Sequence, residues 1–482
     1  MTILSAQATR RDVKSYFGRF GKPSPKLPTS NKRRTMPSVD NAPVRTALIK
    51  LCQADALSNI DLLPGLAKTL VQLGKLGMPS CLVIEPRDGY RLPISNPISL
   101  RERLAELAYR VVDTIESQGG RAQPLVGDLL TKDDSPMDHS PRDPNQSNSF
   151  TQKLELTIDD RSINFPLSSM DLVHKLLLRN TIPVIVPLAG GLNPSISPIS
   201  GDATMYRVCA EVSKNPDFAQ TLSIERIIII DPIGGLPSQS RRGGSHLYIN
   251  LQQEYTGIVD DLSAKLNSAG DVRQSETLRF HLRNIVVANM CLRLLGSTSS
   301  ALITTPKIAA SQASQSSPQS LIHNLLTDKP LISPSLPWRR STTPISETTL
   351  LRLGLPVVVY RSLDDRDNAS RALDFSRLVQ LIEDSFGRRL AIDAYKSRIQ
   401  DKIAAIIIAG DYEGAAIVTN ESAPGSTRCI PYLDKFAVSS NSQGSKGVAD
   451  IVFNVLTSLF PEELFWRSRK SNPVNKWVDP LA

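Results

Sequence analysis

The feature that most constrains the fold is an alternation of short apolar runs with segments of helical periodicity, which starts near residue 41. The apolar runs, in order, are "TALIKL", "CLVIEP", "IPVIVPLA" and "ERIIIID". The segments between them carry apolar residues at helical spacing, as in "LPGLAKTLVQLGKLGM", "RERLAELAYRVVDTIESQGG" and "DATMYRVCAEVSKN". A strand that is apolar at every position is buried on both faces, as in a parallel sheet covered by helices. The sequence therefore predicts an α/β domain with a doubly wound, mostly parallel sheet.

Three stretches depart from this alternation. "KLELTIDDRSINFPL" alternates with period two and predicts an antiparallel hairpin. Residues 131–149 are rich in Asp, Ser, Pro and Asn and predict an exposed loop, and residues 311–349 form a second low-complexity passage. We therefore predict a first domain at 41–310, a linker at 311–349 and a second domain at 350–482.

The second domain has a different pattern. "FSRLVQLIEDSFGRRL" predicts a helix, and "AAIIIAGDYEGAAIVTN" predicts an antiparallel hairpin. "LDKFAV" predicts a further strand, which a loop of small residues joins to an amphipathic helix that ends before Pro461. "LFWRSRK" predicts one more strand. These elements define an α+β domain with a mixed or antiparallel sheet.

Composition excludes several classes of protein. A chain of 482 residues with 40% hydrophobic and 21% charged residues is typical of a globular protein of two or three domains. The longest apolar runs are far shorter than the roughly 20 residues of a membrane-spanning helix, so membrane insertion is not expected.

The positive charge is confined to the first residues of the chain. Residues 1–38 hold nine of the 56 Lys and Arg residues and one of the 47 Asp and Glu residues. Because the remainder is nearly neutral, we expect no nucleic-acid partner. A segment at 1–40 that is rich in Ser and Arg and poor in acids is typical of a mitochondrial targeting sequence, and a solvated basic tail is the alternative.

The cysteines and histidines show no spacing typical of a metal site. The cysteines are Cys52, Cys81, Cys209, Cys291 and Cys429. No CxxC pair occurs, and the five histidines are dispersed. We expect no metal, and small buried thiols in a reducing compartment.

The loop "SSNSQGSKGVAD" lies between a predicted strand and a predicted helix. Such a glycine-bearing turn directs backbone N–H groups outward at the positive end of a helix, which suits a phosphate. No GxxxxGK[ST] or GxGxxG sequence occurs, and an ordinary flexible turn explains the same residues. The loop alone therefore leaves both interpretations open.

Together with "PYLDKFAV" before it and "FWRSRKSNPVNKW" after its helix, this loop resembles the acetyltransferase domain of eukaryotic N-acetylglutamate synthases, a branch of the GNAT superfamily. The upstream domain resembles the amino-acid-kinase-like half of those enzymes. "IHNLLTDKPLISPSLP" and "LIEDSFGRRL" are similar to the fungal mitochondrial form. The resemblance covers most of residues 41–477. It implies an amino-acid-kinase-like domain followed by a GNAT-type domain, and acetyl transfer from acetyl-CoA to L-glutamate in the mitochondrial matrix.

The resemblance also assigns the cofactor and substrate residues. It places the pyrophosphate of acetyl-CoA, a co-substrate and not a permanently bound cofactor, on Gln443, Gly444, Ser445 and Gly447. It places the glutamate carboxylates on a set of basic residues: Lys435, Arg467 and Arg469. Guanidinium forks suit carboxylates, and side chains two apart in a strand share a face, although a solvated basic edge is the alternative.

Catalysis requires little beyond positioning and backbone donors for the oxyanion. The resemblance assigns Asn472 to the catalytic machinery. It also implies a tyrosine where this chain has Val478, with further residues beyond Ala482. On that ground we expect a shortened acetyltransferase domain of uncertain activity.

The first domain lacks the glycine-rich cradles of a kinase. "IKLCQAD" and "VIEPRDG" stand where the kinases carry them, whereas Asp202 is kept. The resemblance implies that this half binds arginine as an allosteric effector and builds a homo-oligomer, with N-acetylglutamate kinase as a possible partner.

Three hypotheses follow from the sequence. The first is the glutamate N-acetyltransferase that opens arginine (ornithine) biosynthesis. The second is an arginine-sensing or scaffold protein with impaired catalysis. The third, an active amino-acid kinase, is disfavoured by the missing cradles.

Overall fold

The computed structural model describes most of the chain in thirteen segments. These are residues 43–54, 62–85, 97–127, 129–132, 149–190, 196–238, 244–296, 298–311, 321–327, 347–363, 372–422, 428–440 and 447–467. The described residues divide into two compact units that part between Leu353 and Gly354, and Asn250–Glu254 groups with the second unit.

Before Leu353 the described residues form twelve strands and ten helices. The strands are β1 (Val44–Leu51), β2 (Ser80–Ile84), β3 (Ala122–Leu125), β4 (Leu130–Lys132), β5 (Ile163–Asn164), β6 (Ile182–Ile185), β7 (Leu188–Gly190), β8 (Ile196–Pro198), β9 (Leu222–Ile230), β10 (Tyr248–Asn250), β11 (Ser300–Thr304) and β12 (Thr348–Arg352). The helices are α1 (Leu63–Lys75), α2 (Pro97–Ser117), α3 (Phe150–Ile158), α4 (Leu167–Leu178), α5 (Gly201–Lys214), α6 (Pro216–Thr221), α7 (Leu251–Ser268), α8 (Val272–Leu295), α9 (Pro306–Ala310) and α10 (Leu321–Thr327).

The main sheet has eight strands in the order β10-β12-β11-β9-β1-β2-β6-β3. β11, β9, β1, β2, β6 and β3 pair in parallel, and β12 is antiparallel to β11. Every residue of β2 and of β11 is buried, so both faces of the sheet are covered. The predicted mostly parallel α/β sheet is confirmed. A small second sheet has the order β5-β4-β7-β8.

The predicted hairpin around residue 155 is wrong, because Phe150–Ile158 is the helix α3. A capping box starts this helix: the Ser149 hydroxyl accepts a hydrogen bond from the Gln152 N–H, and the Gln152 side chain accepts one from the Ser149 N–H. These local hydrogen bonds outweigh the period-two alternation, and Ile158 alone within α3 is fully buried.

The first unit includes residues up to Leu353, whereas the predicted first domain ends at residue 310. β12 pairs with β11 from Ser300 opposite Arg352 to Thr304 opposite Thr348. Residues 348–352 therefore complete the first sheet, and the contacts divide after Leu353. The limits of the linker stay a prediction, since residues 312–320 and 328–346 lie outside the described residues.

The second unit contains a five-stranded sheet in the order β13-β14-β15-β16-β17. Its strands are β13 (Val357–Tyr360), β14 (Ile403–Ala409), β15 (Gly414–Ser422), β16 (Cys429–Val438) and β17 (Phe465–Trp466), and its helices are α11 (Phe375–Phe386), α12 (Ile392–Ile399) and α13 (Val448–Leu459). β13 to β16 are antiparallel to one another, whereas β16 and β17 are parallel. The predicted α+β domain with a mixed sheet is confirmed.

The core of this unit lies between the sheet and two of its helices. Leu378, Leu381 and Ile382 of α11 and Ile399 of α12 pack against alternate residues of the strands. The strand residues in this cluster are Tyr360, Ile406, Ile408, Ala415, Ile417 and Ala437. The two helices α11 and α12 therefore cover one face of the sheet.

Candidate active site

The connection from β16 to α13 has the predicted strand–loop–helix form. β16 ends at Val438, and α13 begins at Val448 after Gly447. Gly447 has a φ of 65°, in the left-handed region that glycine adopts without a steric penalty. Gln443, Gly444 and Ser445 lie outside the described residues, so Gly447 is the one predicted cofactor residue that the structure places.

The start of α13 is fixed by close packing against β15. A Cβ atom on Gly414 would lie 2.5 Å from Val448 Cγ1 and 3.2 Å from Val452 Cγ2, so only a glycine lets the helix approach this strand. Because the N-cap residue is Gly447, its own side chain cannot accept a hydrogen bond from the first N–H groups of α13. The first N–H groups of a helix have no partner within the helix and carry its positive dipole end, so they can bind an anion.

A β-bulge interrupts β16 at Asp434. Ile417 of β15 lies opposite Lys435, and the next residue, Val418, lies opposite Leu433. Asp434 is therefore the extra residue, without a partner in the register between the two strands.

On its other edge, β16 pairs with β17 only at Tyr432 and Leu433. Within the described residues, the edge of β16 from Asp434 to Ala437 has no strand beside it on this side, whereas the Val438 N–H donates to Ser385 Oγ at 3.3 Å. Backbone groups on such an edge can donate to, or accept from, a bound molecule.

A cluster of polar side chains surrounds the bulge. The Asp434 carboxylate accepts hydrogen bonds from Tyr395 Oη at 2.7 Å, from Arg398 at 2.7 Å and from Lys435 Nζ at 3.0 Å. Lys435 Nζ also lies 5.1 Å from the centroid of the Tyr395 ring. The Asp434 side chain is only 6% exposed, whereas that of Lys435 is 24% exposed.

The charges of this cluster stabilise one another. Burial acts to raise the pKa of Asp434, but the hydrogen bonds from Tyr395, Arg398 and Lys435 outweigh it and hold that pKa below its usual value. Burial, together with the negative charge of Asp434, raises the pKa of Tyr395. At neutral pH, Asp434 is therefore an anion and Tyr395 is a neutral hydrogen-bond donor.

The predicted substrate residues are placed in part. Arg467 is exposed and directly follows Trp466, which pairs with Leu433. In the strand register, Arg467 therefore stands one step beyond the last pair, on the side of the bulge. Arg469 and the predicted catalytic Asn472 lie outside the described residues, as does Val478.

Sequence reasoning did not identify Asp434, Tyr395 and Arg398. The one available signal was the dipeptide Asp434–Lys435 inside an otherwise apolar strand. Period two would put these neighbours on opposite faces, and only the bulge brings them together.

The first unit carries a second charged cluster, at the carboxyl ends of β1 and β2. Lys50 Nζ contacts the Asp202 carboxylate and lies 3.7 Å from Glu85 Oε2. Arg283 of α8 donates to Asp202 Oδ2 at 2.6 Å and to Glu85 Oε1 at 3.0 Å. The cluster holds equal numbers of opposite charges, and the Lys50, Asp202 and Glu85 side chains are at most 6% exposed.

Mutual attraction dominates the ionisation of this cluster. Burial acts to raise the pKa of Asp202, but Arg283 and Lys50 hold it well below its usual value. Burial acts to lower the pKa of Lys50, but Asp202, Cys52 and Glu85 together more than reverse that effect and raise it. In this cluster, the two cations and the two carboxylates pair with one another. In the cluster around Asp434, by contrast, two cations share one carboxylate and are partly exposed.

The described residues offer neither a metal centre nor a membrane anchor of helical type. Nowhere among them do three or more His, Cys, Asp or Glu side chains gather in a way that could hold a metal ion. In the same part of the chain, every helix is too short or too polar to cross a membrane.

Comparisons with known proteins identify the class of enzyme. The family model described as "NAT, N-acetyltransferase, of N-acetylglutamate synthase" matches residues 364–478, which include the bulged strand, the loop and α13. The second unit is therefore an N-acetyltransferase domain.

The relatives extend the match to most of the chain. The mitochondrial amino-acid acetyltransferase of Aspergillus oryzae is 34% identical over 89% of this chain and 70% of its own length. That of Schizosaccharomyces pombe is 34% identical over 98% of this chain and 88% of its own. The chain belongs to the family of mitochondrial amino-acid acetyltransferases. The predicted enzyme class and mitochondrial location are confirmed.

A solved structure gives a weaker match. N-acetylglutamate synthase from Neisseria gonorrhoeae, complexed with coenzyme A and N-acetyl-glutamate, is 12% identical, with a TM-score of 0.49 over 100% of this chain and 92% of that one.

Proposed function

We propose that the chain transfers the acetyl group of acetyl-CoA to the α-amine of L-glutamate and so makes N-acetylglutamate, the first step of arginine biosynthesis. The observation that carries the proposal is the bulged strand β16, which the loop and Gly447 join to α13 within the matched acetyltransferase domain. We propose the mitochondrial matrix as its location.

The cofactor end of the site is the N-terminus of α13. Acetyl-CoA carries a pyrophosphate, and a helix N-terminus preceded by a glycine in the left-handed region suits it. Gly447 shapes this end, and we propose Gln443, Gly444 and Ser445 as further contacts of the pyrophosphate. Acetyl-CoA enters and leaves as a co-substrate.

The substrate end is the cluster at the bulge. Glutamate presents carboxylates, and Lys435 offers an ammonium that is partly exposed and fixed in place. We propose Lys435, Arg467 and Arg469 as the carboxylate ligands and Asn472 as a residue that contacts the reacting groups. Arg467 adds a guanidinium fork at the level of the bulge in the strand register.

The reaction joins these two ends. The α-ammonium of glutamate loses a proton to water, and the free amine attacks the thioester carbon held beside it. The carbon–sulfur bond breaks, the amide forms, and CoA leaves as a thiol after taking up a proton. The open edge of β16 beyond Leu433 supplies backbone groups near the reacting carbonyl, where an oxyanion develops.

Regulation and assembly are further parts of the proposal. Arginine acts as the effector of the first unit, the chain forms a homo-oligomer, and N-acetylglutamate kinase is a candidate partner. Kinase chemistry in the first unit is disfavoured, because Lys50 and Arg283 direct their donors at Asp202 and Glu85.

Steady-state acetyl transfer by the purified chain tests this function. We expect release of the CoA thiol with glutamate, and far less with glutamine or glycine. Lys435→Gln should raise the KM for glutamate by roughly tenfold or more, the range for a hydrogen bond between charged groups. Lys402→Gln, which breaks an exposed pair with Glu421 in the same sheet, is the matched control and should change nothing. Arginine binding without turnover would favour the sensor hypothesis instead.

A further inference from the structure

We propose that Asp434, held by Tyr395 and Arg398, is a positioning residue that fixes the Lys435 ammonium for the substrate carboxylate. This inference rests on the proposed function and deepens it. It assigns a role to three residues that act through Lys435 and need not touch the substrate.

The bulge makes this arrangement possible. In a regular strand, Asp434 and Lys435 would lie on opposite faces of the sheet. With Asp434 inserted between the pairs of Leu433 and Lys435, both side chains reach Tyr395. The extra residue thus brings a carboxylate and an ammonium together on the face that packs against α12.

Tyr395 holds both members of the pair. Its hydroxyl donates to Asp434 Oδ2 at 2.7 Å, and the face of its ring lies 5.1 Å from Lys435 Nζ. The residue is 6% exposed and belongs to the hydrophobic core of the second unit, so its position is set by packing. Tyr395 therefore restrains Lys435 directly through its ring and indirectly through Asp434.

The charge balance leaves Lys435 able to bind an anion. Arg398 and Lys435 share the single carboxylate of Asp434, so these three residues carry a net positive charge. Lys435 Nζ has three N–H donors, and its acceptors here are Asp434 Oδ2 at 3.0 Å and, more distantly, Asp434 O at 3.4 Å. Among the described residues, the ammonium therefore keeps one N–H donor, on a partly exposed side chain, for a substrate carboxylate.

Positioning should affect glutamate without affecting acetyl-CoA. A lysine side chain has large rotamer freedom, and fixing it before binding removes part of the entropy cost of the complex. Loss of Asp434 frees the ammonium, so the affinity for glutamate should fall while the acetyl-CoA end of the site stays intact.

The test compares Asp434→Asn, Tyr395→Phe, Lys435→Gln and the double variant Asp434→Asn/Lys435→Gln. Each is measured by KM for glutamate, KM for acetyl-CoA and the calorimetric Kd for glutamate. We expect Asp434→Asn to raise KM and Kd for glutamate about tenfold, and Tyr395→Phe, which keeps the ring, about threefold. The KM for acetyl-CoA should stay within about twofold. Lys402→Gln is again the control.

The double variant decides how Asp434 acts. If Asp434 acts through Lys435, the double variant should have the same KM and Kd for glutamate as Lys435→Gln alone. Additive effects, or equal losses for glutamate and acetyl-CoA, would overturn the inference and leave Asp434 a purely structural residue. Asp434→Glu should restore part of the glutamate affinity.

Failure of the proposed function gives a different result. A wild-type chain that binds glutamate without turning it over would refute catalysis, and the Kd values would still decide the role of Asp434. A wild-type chain that does not bind glutamate at all would overturn both proposals.

Discussion

Replacing Asp202 by asparagine should strongly destabilise the first unit while changing almost nothing in its shape. Asp202 accepts hydrogen bonds from Lys50 and from two nitrogens of Arg283, at 2.6 and 2.9 Å from the latter. In Asp202→Asn, Lys50 and Arg283 would share the single carboxylate of Glu85, which leaves a buried positive charge uncompensated. The Asp202 side chain is 2% exposed, so water cannot replace the lost partner.

The magnitude follows from the burial of the pair. Removing one partner of a buried ion pair costs about 3–5 kcal/mol. The matched control is Asp261→Asn, which breaks the pair with Lys265 at 2.6 Å on the surface of α7, where the two side chains are 52% and 23% exposed. An exposed pair of this kind contributes only about 0.3–0.5 kcal/mol.

Hydrogen exchange of the β1 and α5 peptides, followed by mass spectrometry, measures this difference within the first unit. A loss of about 3–5 kcal/mol raises the exchange rate of the most protected amides by roughly a hundredfold to several thousandfold. A change in Asp202→Asn no larger than that in Asp261→Asn would refute the account of the buried cluster.

Two further predictions concern pH and packing. Burial lowers the pKa of His281 from 6.5 to about 4, so the unfolded chain binds its proton first as the pH falls. Through this residue, the free energy of unfolding of the first unit should therefore fall by about 2 kcal/mol as the pH is lowered from 7 to 5. His281→Gln should reduce this dependence of stability on pH, measured by hydrogen exchange at several pH values, and an unchanged pH dependence would contradict the assignment. Gly414→Ala places a Cβ 2.5 Å from Val448 Cγ1, so α13 must shift. The KM for acetyl-CoA should rise several-fold, with a loss of about 1–3 kcal/mol in stability. Gly257→Ala, in the interior of α7 with open space around it, should leave this KM unchanged and raise stability by about 0.5–1 kcal/mol.

The parallel sheet could be predicted because its strands are apolar at every position. "CLVI" in β2 is buried throughout, as expected for a short run without alternation in a parallel sheet covered on both faces. The strand–loop–helix connection that contains Gly447 could be predicted as well, since a glycine-bearing turn stands between an apolar strand and an amphipathic run. The contact of Gly447 with acetyl-CoA stays a prediction.

The remaining features depend on local competition or on distant contacts. The helix α3 differs from the predicted hairpin because the capping hydrogen bonds of Ser149 and Gln152 favour a helix over the alternation that follows them. The bulge at Asp434 depends on the register with β15, which no local pattern in β16 encodes. Arg283 lies 81 residues from Asp202, and only the packing of α8 brings them together.

The most direct test of the account is to incubate the purified chain with ¹³C-acetyl-CoA and ¹⁵N-glutamate and to follow the product by NMR. We expect an acetyl carbonyl signal split by coupling to ¹⁵N, because the new amide bond joins the acetyl carbonyl carbon to the glutamate nitrogen. A spectrum that shows only uncoupled acetate or unchanged acetyl-CoA, without the coupled amide signal, would contradict acetyl transfer to glutamate.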